Sequence, residues 1–210
     1  MRPTKDRETS ISIRYLALGD SYTIGEGVRE QERWPNQLAA QLRGNGYSVE
    51  VTMVAQTGWT TQDLAEGIRV ANLQCAYDLV TLLIGVNNQY RGLDIGQYRE
   101  EFHALLEKAV QFADGNSGRV IVLSIPDWSA TPHAMGMDAA KISAEIDVFN
   151  AVNLAESDKM GVGYIDVTTT SRRASAAPSL LAEDGLHPSA LMYAAWVDRM
   201  FPAVMLSLGE

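Results

Sequence analysis

Apolar residues along this chain fall into short, nearly unbroken runs separated by longer stretches with helical spacing. The first run, Ile13 to Leu18, predicts a strand that stops at Gly19. After a polar loop to Arg33, Trp34-Pro35-Asn36-Gln37-Leu38 opens a helix. Pro35 stands near its first position, where a missing N–H costs nothing, and Gly44-Asn45-Gly46 stops it. Between Ser48 and Val54, Val49, Val51 and Met53 alternate with polar residues, the pattern of a strand near a sheet edge. Gln56-Thr57-Gly58-Trp59 follows, and Thr60 or Thr61 caps a helix to about Asn72.

Leu79 to Ile84 is almost wholly apolar, as is Arg119 to Ser124, so both read as strands buried on two faces. Between them Phe102, Leu105, Leu106 and Ala109 give a helix over about Gln97 to Phe112. Ala139 to Met160 reads as a helix and Gly163 to Val167 as a fifth strand. A loop of roughly twenty residues follows, long enough to suggest a role. The last helix runs from Ser189 to about Leu208, with a kink expected at Pro202. Strands and helices thus alternate five times, which predicts one three-layer α/β/α domain over residues 13–210, with a flexible tail over 1–12.

Composition narrows the function. The net charge of −9 disfavours nucleic acid and anionic membrane surfaces, both of which need a basic face. With Cys75 as the single cysteine no internal disulfide can form, and a small core residue is the plain reading of it. Met1 to Ser12 lacks the apolar segment of a signal peptide, and no run approaches the ~18 apolar residues of a membrane span. The expectation is a cytoplasmic protein without stable membrane association, its oligomeric state left open.

Ligands of open parallel sheets bind beyond the carboxyl ends of the strands. The residues found there are Ser21, Gly58, Asn87, Asp127 and the segment Asp184-Gly185-Leu186-His187-Pro188. A nucleophilic serine needs a base and a group to orient that base. His103 lies within a predicted helix and reads as a surface residue, whereas His133 is either a solvated loop residue or part of the cleft. His187 is the best candidate base, and Asp184, three residues earlier, either orients it or only caps the turn. Oxyanion donors are available in the Ser21 and Gly58 N–H groups and the Asn87 amide, although a turn glycine and a loop asparagine are the simpler explanations of the last two. Trp128, Pro132, Met135 and Met137, in the stretch Asp127 to Met137, are expected to border the cleft.

There is no His-Glu-x-x-His, no Cys/His cluster, no phosphate loop and no Gly-x-Gly-x-x-Gly, so no metal or cofactor is expected. Thr23 replaces the last glycine of Gly-x-Ser-x-Gly, which removes the nucleophile elbow of α/β-hydrolases.

Gly19-Asp20-Ser21 near the N-terminus, Gly58 after the second strand, Gly85-Val86-Asn87 after the third and Asp184-x-x-His187 near the end together resemble the SGNH hydrolases, or GDSL-type esterases and lipases. The resemblance implies a flavodoxin-like sheet of five parallel strands in order 2-1-3-4-5. It also implies Ser21 as nucleophile, His187 as base, Asp184 as its orienting acid, and an oxyanion hole of Ser21, Gly58 and Asn87. Asp20 would be a structural acceptor. Tyr22 stands where the family has Leu, a change expected in packing rather than chemistry. Asn88 stands where the family often has Asp, which puts that residue's structural bond in question. The activity implied is hydrolysis of a carboxylic ester through an acyl-enzyme. Candidate substrates are a short-chain acyl ester, an acetylated sugar or a lysophospholipid-like ester. An acyltransferase with the same triad and a non-catalytic binding domain are the alternatives.

Overall fold

The computed structural model describes residues 11–74 and 76–209. Cys75 and most of the expected N-terminal tail therefore lie outside the described residues. Five parallel strands form one sheet: β1 (Ser12–Gly19), β2 (Ser48–Ala55), β3 (Leu79–Leu83), β4 (Val120–Leu123) and β5 (Gly163–Ile165). Their order is β2-β1-β3-β4-β5, the order the resemblance implies. All side chains of β3 and β4 are buried, which is why their sequences carry no alternation. β2 lies at an edge and keeps polar residues on its exposed side. Within the sheet, the buried Tyr15 hydroxyl pairs with Thr81 Oγ1 at 3.0 Å, so neither polar group is left bare in the core.

Eight α-helices connect and cover the described strands. They are α1 (Ser21–Ile24), α2 (Trp34–Gly44), α3 (Thr61–Ala71), α4 (Val86–Tyr90), α5 (Ile95–Phe112), α6 (Ala139–Met160), α7 (Thr168–Ser171) and α8 (Ala190–Ser207). α2 packs against α8, while α3, α5 and α6 form a second group, and the sheet lies between the two. Local chemistry starts several of them: Thr60 and Asp63 cap α3 reciprocally, and Asp94, Asp138 and Ser189 cap α5, α6 and α8.

Two expectations change in detail. β5 ends at Ile165 rather than Val167, because Ser124 Oγ takes the Val167 and Thr168 N–H groups and turns the chain into α7. The long loop after β5 contains α7 and two short 3₁₀ turns. Pro202 sits inside a helix that continues on both sides of it. No helix among the described residues is long and apolar enough to cross a membrane.

Candidate active site

β1 delivers Ser21 to the rim through a close approach that only glycine permits. A Cβ on Gly19 would stand 2.2 Å from Thr23 Oγ1 and 2.5 Å from the Leu83 carbonyl oxygen. Asp20 then caps α1, its Oδ1 accepting the Tyr22 N–H at 3.0 Å. Ser21, the first residue of α1, is 5% exposed. Its N–H precedes the first intrahelical bond, so the helix does not consume it. The Tyr22 ring packs edge-on to His187 at 5.7 Å and tilted against Trp196 at 6.4 Å.

Asp20 is fully buried, and its Oδ2 has no partner among the described residues. Burial pushes its carboxyl up to about 7, against backbone hydrogen bonds that lower it. A carboxyl raised in the folded state binds its proton more tightly there than in the unfolded chain. Its favourable contribution is complete below about 4 and is lost as pH rises through about 7. Asp20→Asn keeps the acceptor for Tyr22 but cannot ionise. Denaturant unfolding of both proteins from pH 4 to 8 should therefore show the variant gaining on the wild type as pH rises, by about 1.4 kcal/mol per unit of pKa displacement. A pH-independent difference would contradict this.

On the opposite side, Leu181 bridges Pro188 antiparallel, and Ser189 N–H bonds the Leu180 carbonyl at 2.8 Å, fixing the 180–189 segment to the start of α8. Asp184 has two tasks in this turn. Oδ1 accepts the N–H groups of Leu186 and His187, each at 2.9 Å, while Oδ2 lies 2.7 Å from His187 Nδ1. Burial tends to raise the Asp184 carboxyl, but the imidazole and the two N–H groups outweigh it and hold it below the ordinary carboxylate range. A carboxylate can only accept, so Nδ1 carries the hydrogen, and an imidazole so held presents Nε2 as its acceptor whenever it is uncharged.

Ser21 and His187 share a cavity of about 240 Å³. Asn87 and Val86 from α4 line it as well, together with Tyr90, Trp128 and His133. Those three rings contact one another, at 5.4 Å for Tyr90–Trp128, 5.9 Å for Trp128–His133 and 6.4 Å for Tyr90–His133. His133 is thus both an exposed loop residue and part of the wall. Met135 and Met137, expected near the cleft, are exposed and not part of its lining. Ser21 Oγ makes no hydrogen bond to the imidazole among the described residues, a spacing common in free enzymes that tightens with substrate.

Gly58 is not among the residues lining the cavity, but its neighbour connects to it: Asn87 Nδ2 donates to the Trp59 carbonyl at 2.9 Å. The Trp59 N–H closes a turn onto the Gln56 carbonyl at 3.3 Å, with Gly58 at φ +84° in the third place, a conformation suited to glycine. The Gly58 N–H is not used in that closure. Asn88 supplies the structural bonds that were in question, accepting the Thr61 N–H at 3.1 Å and donating to Thr61 Oγ1 at 2.7 Å.

Asp127, the rim residue after β4, holds the loop rather than the cavity. It accepts from Ser129 N–H at 2.9 Å, Ser143 Oγ at 2.6 Å and Arg172 Nε at 2.8 Å. Burial alone would raise its carboxyl, and these donors bring it below the ordinary range instead. Trp128, next in the chain, is fixed by its Nε1–H to Gln89 Oε1 at 2.9 Å. His103 lies on α5, its Nδ1 3.1 Å from Glu156 Oε2 on α6. Among the described residues, no three His, Cys, Asp or Glu side chains are grouped so as to hold a metal ion.

Tyr90, which lines the cavity, Gln89, which holds Trp128, and Arg91, which bonds the Gly58 carbonyl, carry no signal of this in the sequence. The apolar run ending at Gly85 pointed to the rim, but nothing local marks a helix of five residues.

The sheet of this order, with Ser21 and the Asp184-bound His187 lining one cavity at its carboxyl rim, shares its fold with several solved structures. TesA superposes with a TM-score of 0.73 at 20% identity, covering 93% of this chain and 99% of its own. The psychrotrophic esterase EstA from Pseudoalteromonas sp., solved inhibited by monoethylphosphonate, gives 0.72 at 16% identity, over 94% and 99%. The acetyl xylan esterase AlAXEase gives 0.73 at 19% identity, over 91% and 100%. At such identities the likeness establishes the fold. No curated protein matches the chain in sequence. The family follows from the sequence profile of the GDSL-like Lipase/Acylhydrolase family, which matches residues 17–195: this chain belongs to that family of hydrolases.

Proposed function

We propose that this hydrolase cleaves a short-chain acyl ester through an acyl-enzyme on Ser21. The observation that carries the reading is the Asp184 Oδ2 to His187 Nδ1 bond of 2.7 Å, which leaves Nε2 as a base at the cavity shared with Ser21. Ser21 Oγ attacks the ester carbonyl carbon as its proton passes to His187 Nε2. The tetrahedral oxyanion is received by the N–H groups of Ser21 and Gly58 and by the second hydrogen of the Asn87 amide, whose first is bound to Trp59. Collapse breaks the bond to the alcohol oxygen, which leaves with the proton from Nε2. Water then attacks the acyl-enzyme, gives a proton to Nε2, and the acid departs as Ser21 recovers its hydrogen. No cofactor enters these steps.

The acyl chain is read as short because the cavity is small. Its volume of about 240 Å³ lies below the ~300–1,000 Å³ of drug-sized ligand sites, and Trp128 and Tyr90 wall it. Aromatic faces also suit the apolar face of a sugar ring, so an acetylated saccharide fits, in line with the acetyl xylan esterase among the structural neighbours. The single cysteine suits a reducing compartment, and a cytoplasmic location is part of this reading.

The test is labelling by a fluorophosphonate, followed by turnover of p-nitrophenyl esters of rising acyl length and of acetylated saccharides. Labelling at Ser21, with release of free acid from acetyl esters, is the expected result. An unlabelled protein would point to a binding domain, and transfer to added alcohols in place of acid release would point to an acyltransferase. Tyr90 is half-exposed, so Tyr90→Ala should leave folding intact while opening the wall. The ratio of butyrate to acetate turnover should then rise about tenfold, the lower end of what one or two methylenes are worth.

A further inference from the structure

One short helix and its C-cap bond the stretch from Gly58 to Thr61. Asn87 Nδ2 donates to the Trp59 carbonyl at 2.9 Å, and Arg91 Nη2 donates to the Gly58 carbonyl at 2.6 Å. These residues are four apart, so they leave α4 and its C-cap on the same side and meet two consecutive carbonyls. Asn88 adds its two bonds to Thr61. Arg91 is itself steered by Asp63, whose Oδ2 lies 3.9 Å from Nη1 and also caps α3 through Thr60.

Gly58 needs such support. It has no side chain, and a Cβ built on it would find only Arg91 Nη2 within 4 Å, at 3.9 Å. Packing therefore does not hold it in place. Thr57 before it is tied by its hydroxyl to Glu26, and Trp59 after it by Asn87. The Gly58 carbonyl itself rests on the guanidinium, a charge-assisted bond from a rigid planar donor set.

We propose that Arg91 is a positioning residue for oxyanion binding: it clamps the Gly58–Trp59 peptide plane through the Gly58 carbonyl and, with the Trp59 N–H closing the turn onto Gln56, restrains the Gly58 dihedrals that aim the Gly58 N–H of the preceding peptide plane at the developing negative charge. This rests on the esterase reading above, in which the Gly58 N–H receives the oxyanion. Arg91 touches no reacting atom. Its contribution is the alignment of a donor, which matters when charge develops on the carbonyl oxygen and little when substrate first binds.

The test uses Arg91→Met, which keeps a flexible stem and a good helix former but has no donor, and Arg91→Lys, which keeps a charge and a donor without the planar fork. Loss of a whole oxyanion donor costs about 10²–10³ in kcat. Misalignment should cost less: Arg91→Met is expected to lower kcat about 10–100-fold, with KM within about threefold of wild type and the midpoint of the pH–rate profile unmoved. Arg91→Lys should fall between the two. A kcat within about threefold of wild type in Arg91→Met, a loss carried by KM, or a loss that lysine does not lessen would overturn the proposal. If Arg91→Met fails to fold, Arg91→Lys decides: a lowered kcat at constant KM supports the proposal, and wild-type kcat or a loss in KM refutes it. Wild-type protein that neither reacts with a fluorophosphonate nor turns over esters would sink the esterase reading and this one together. An active wild type with an unaffected Arg91→Met would sink this one alone.

Discussion

Ser21→Ala is expected to lower turnover of p-nitrophenyl acetate by about 10⁴-fold or more, with no loss of folded protein. The substitution removes one oxygen from a side chain that is 5% exposed and leaves the backbone N–H in place. The turn does not depend on that oxygen, since Asp20 Oδ1 holds the Tyr22 N–H and Gly19 makes the close approach to Leu83. An unchanged denaturant midpoint beside lost activity and lost fluorophosphonate labelling is the expected set of results. Most of the activity surviving in the variant would remove Ser21 as nucleophile and with it the acyl-enzyme.

The second large effect belongs to the His187–Asp184 pair. His187→Ala should cost nearly as much as loss of the serine, because the hydroxyl is a poor nucleophile without a base. Asp184→Asn is the more discriminating change. The asparagine oxygen can still accept the Leu186 and His187 N–H groups that close the turn, so the segment should keep its shape. Its amide, however, would donate to Nδ1 where the carboxylate accepts at 2.7 Å. The imidazole is then driven to the tautomer with its hydrogen on Nε2, which cannot take a proton from Ser21. A fall of about 10⁴ in kcat with KM little changed is expected by stopped-flow or steady-state assay. Activity within tenfold of wild type would reduce Asp184 to a turn cap.

Much of this architecture was legible in the sequence, for reasons that differ along the chain. β3 and β4 read as buried strands because a sheet covered on both faces needs no polar alternation. β2 betrayed its edge position through the same rule in reverse. α1 and α4 leave no signal in the sequence because four or five residues are too few to show a 3.6-residue period. The local pattern carries β5 on to Val167, whereas the Ser124 hydroxyl, 43 positions away, draws the chain off after Ile165.

The sequence by itself determined which groups stand at the ends of the strands and in what order, because strand direction and rim are local consequences of hydrophobic period and turn chemistry. It also determined that Asp184 lies within reach of His187, three residues being one turn of chain. Tertiary structure alone decided that Tyr90, Trp128 and His133 meet as one wall and that the cavity is about 240 Å³. It alone set Arg91 on the Gly58 carbonyl, 33 residues away. Contacts of that range follow from how the stretch before α3 meets α4 and its C-cap, which no local propensity encodes.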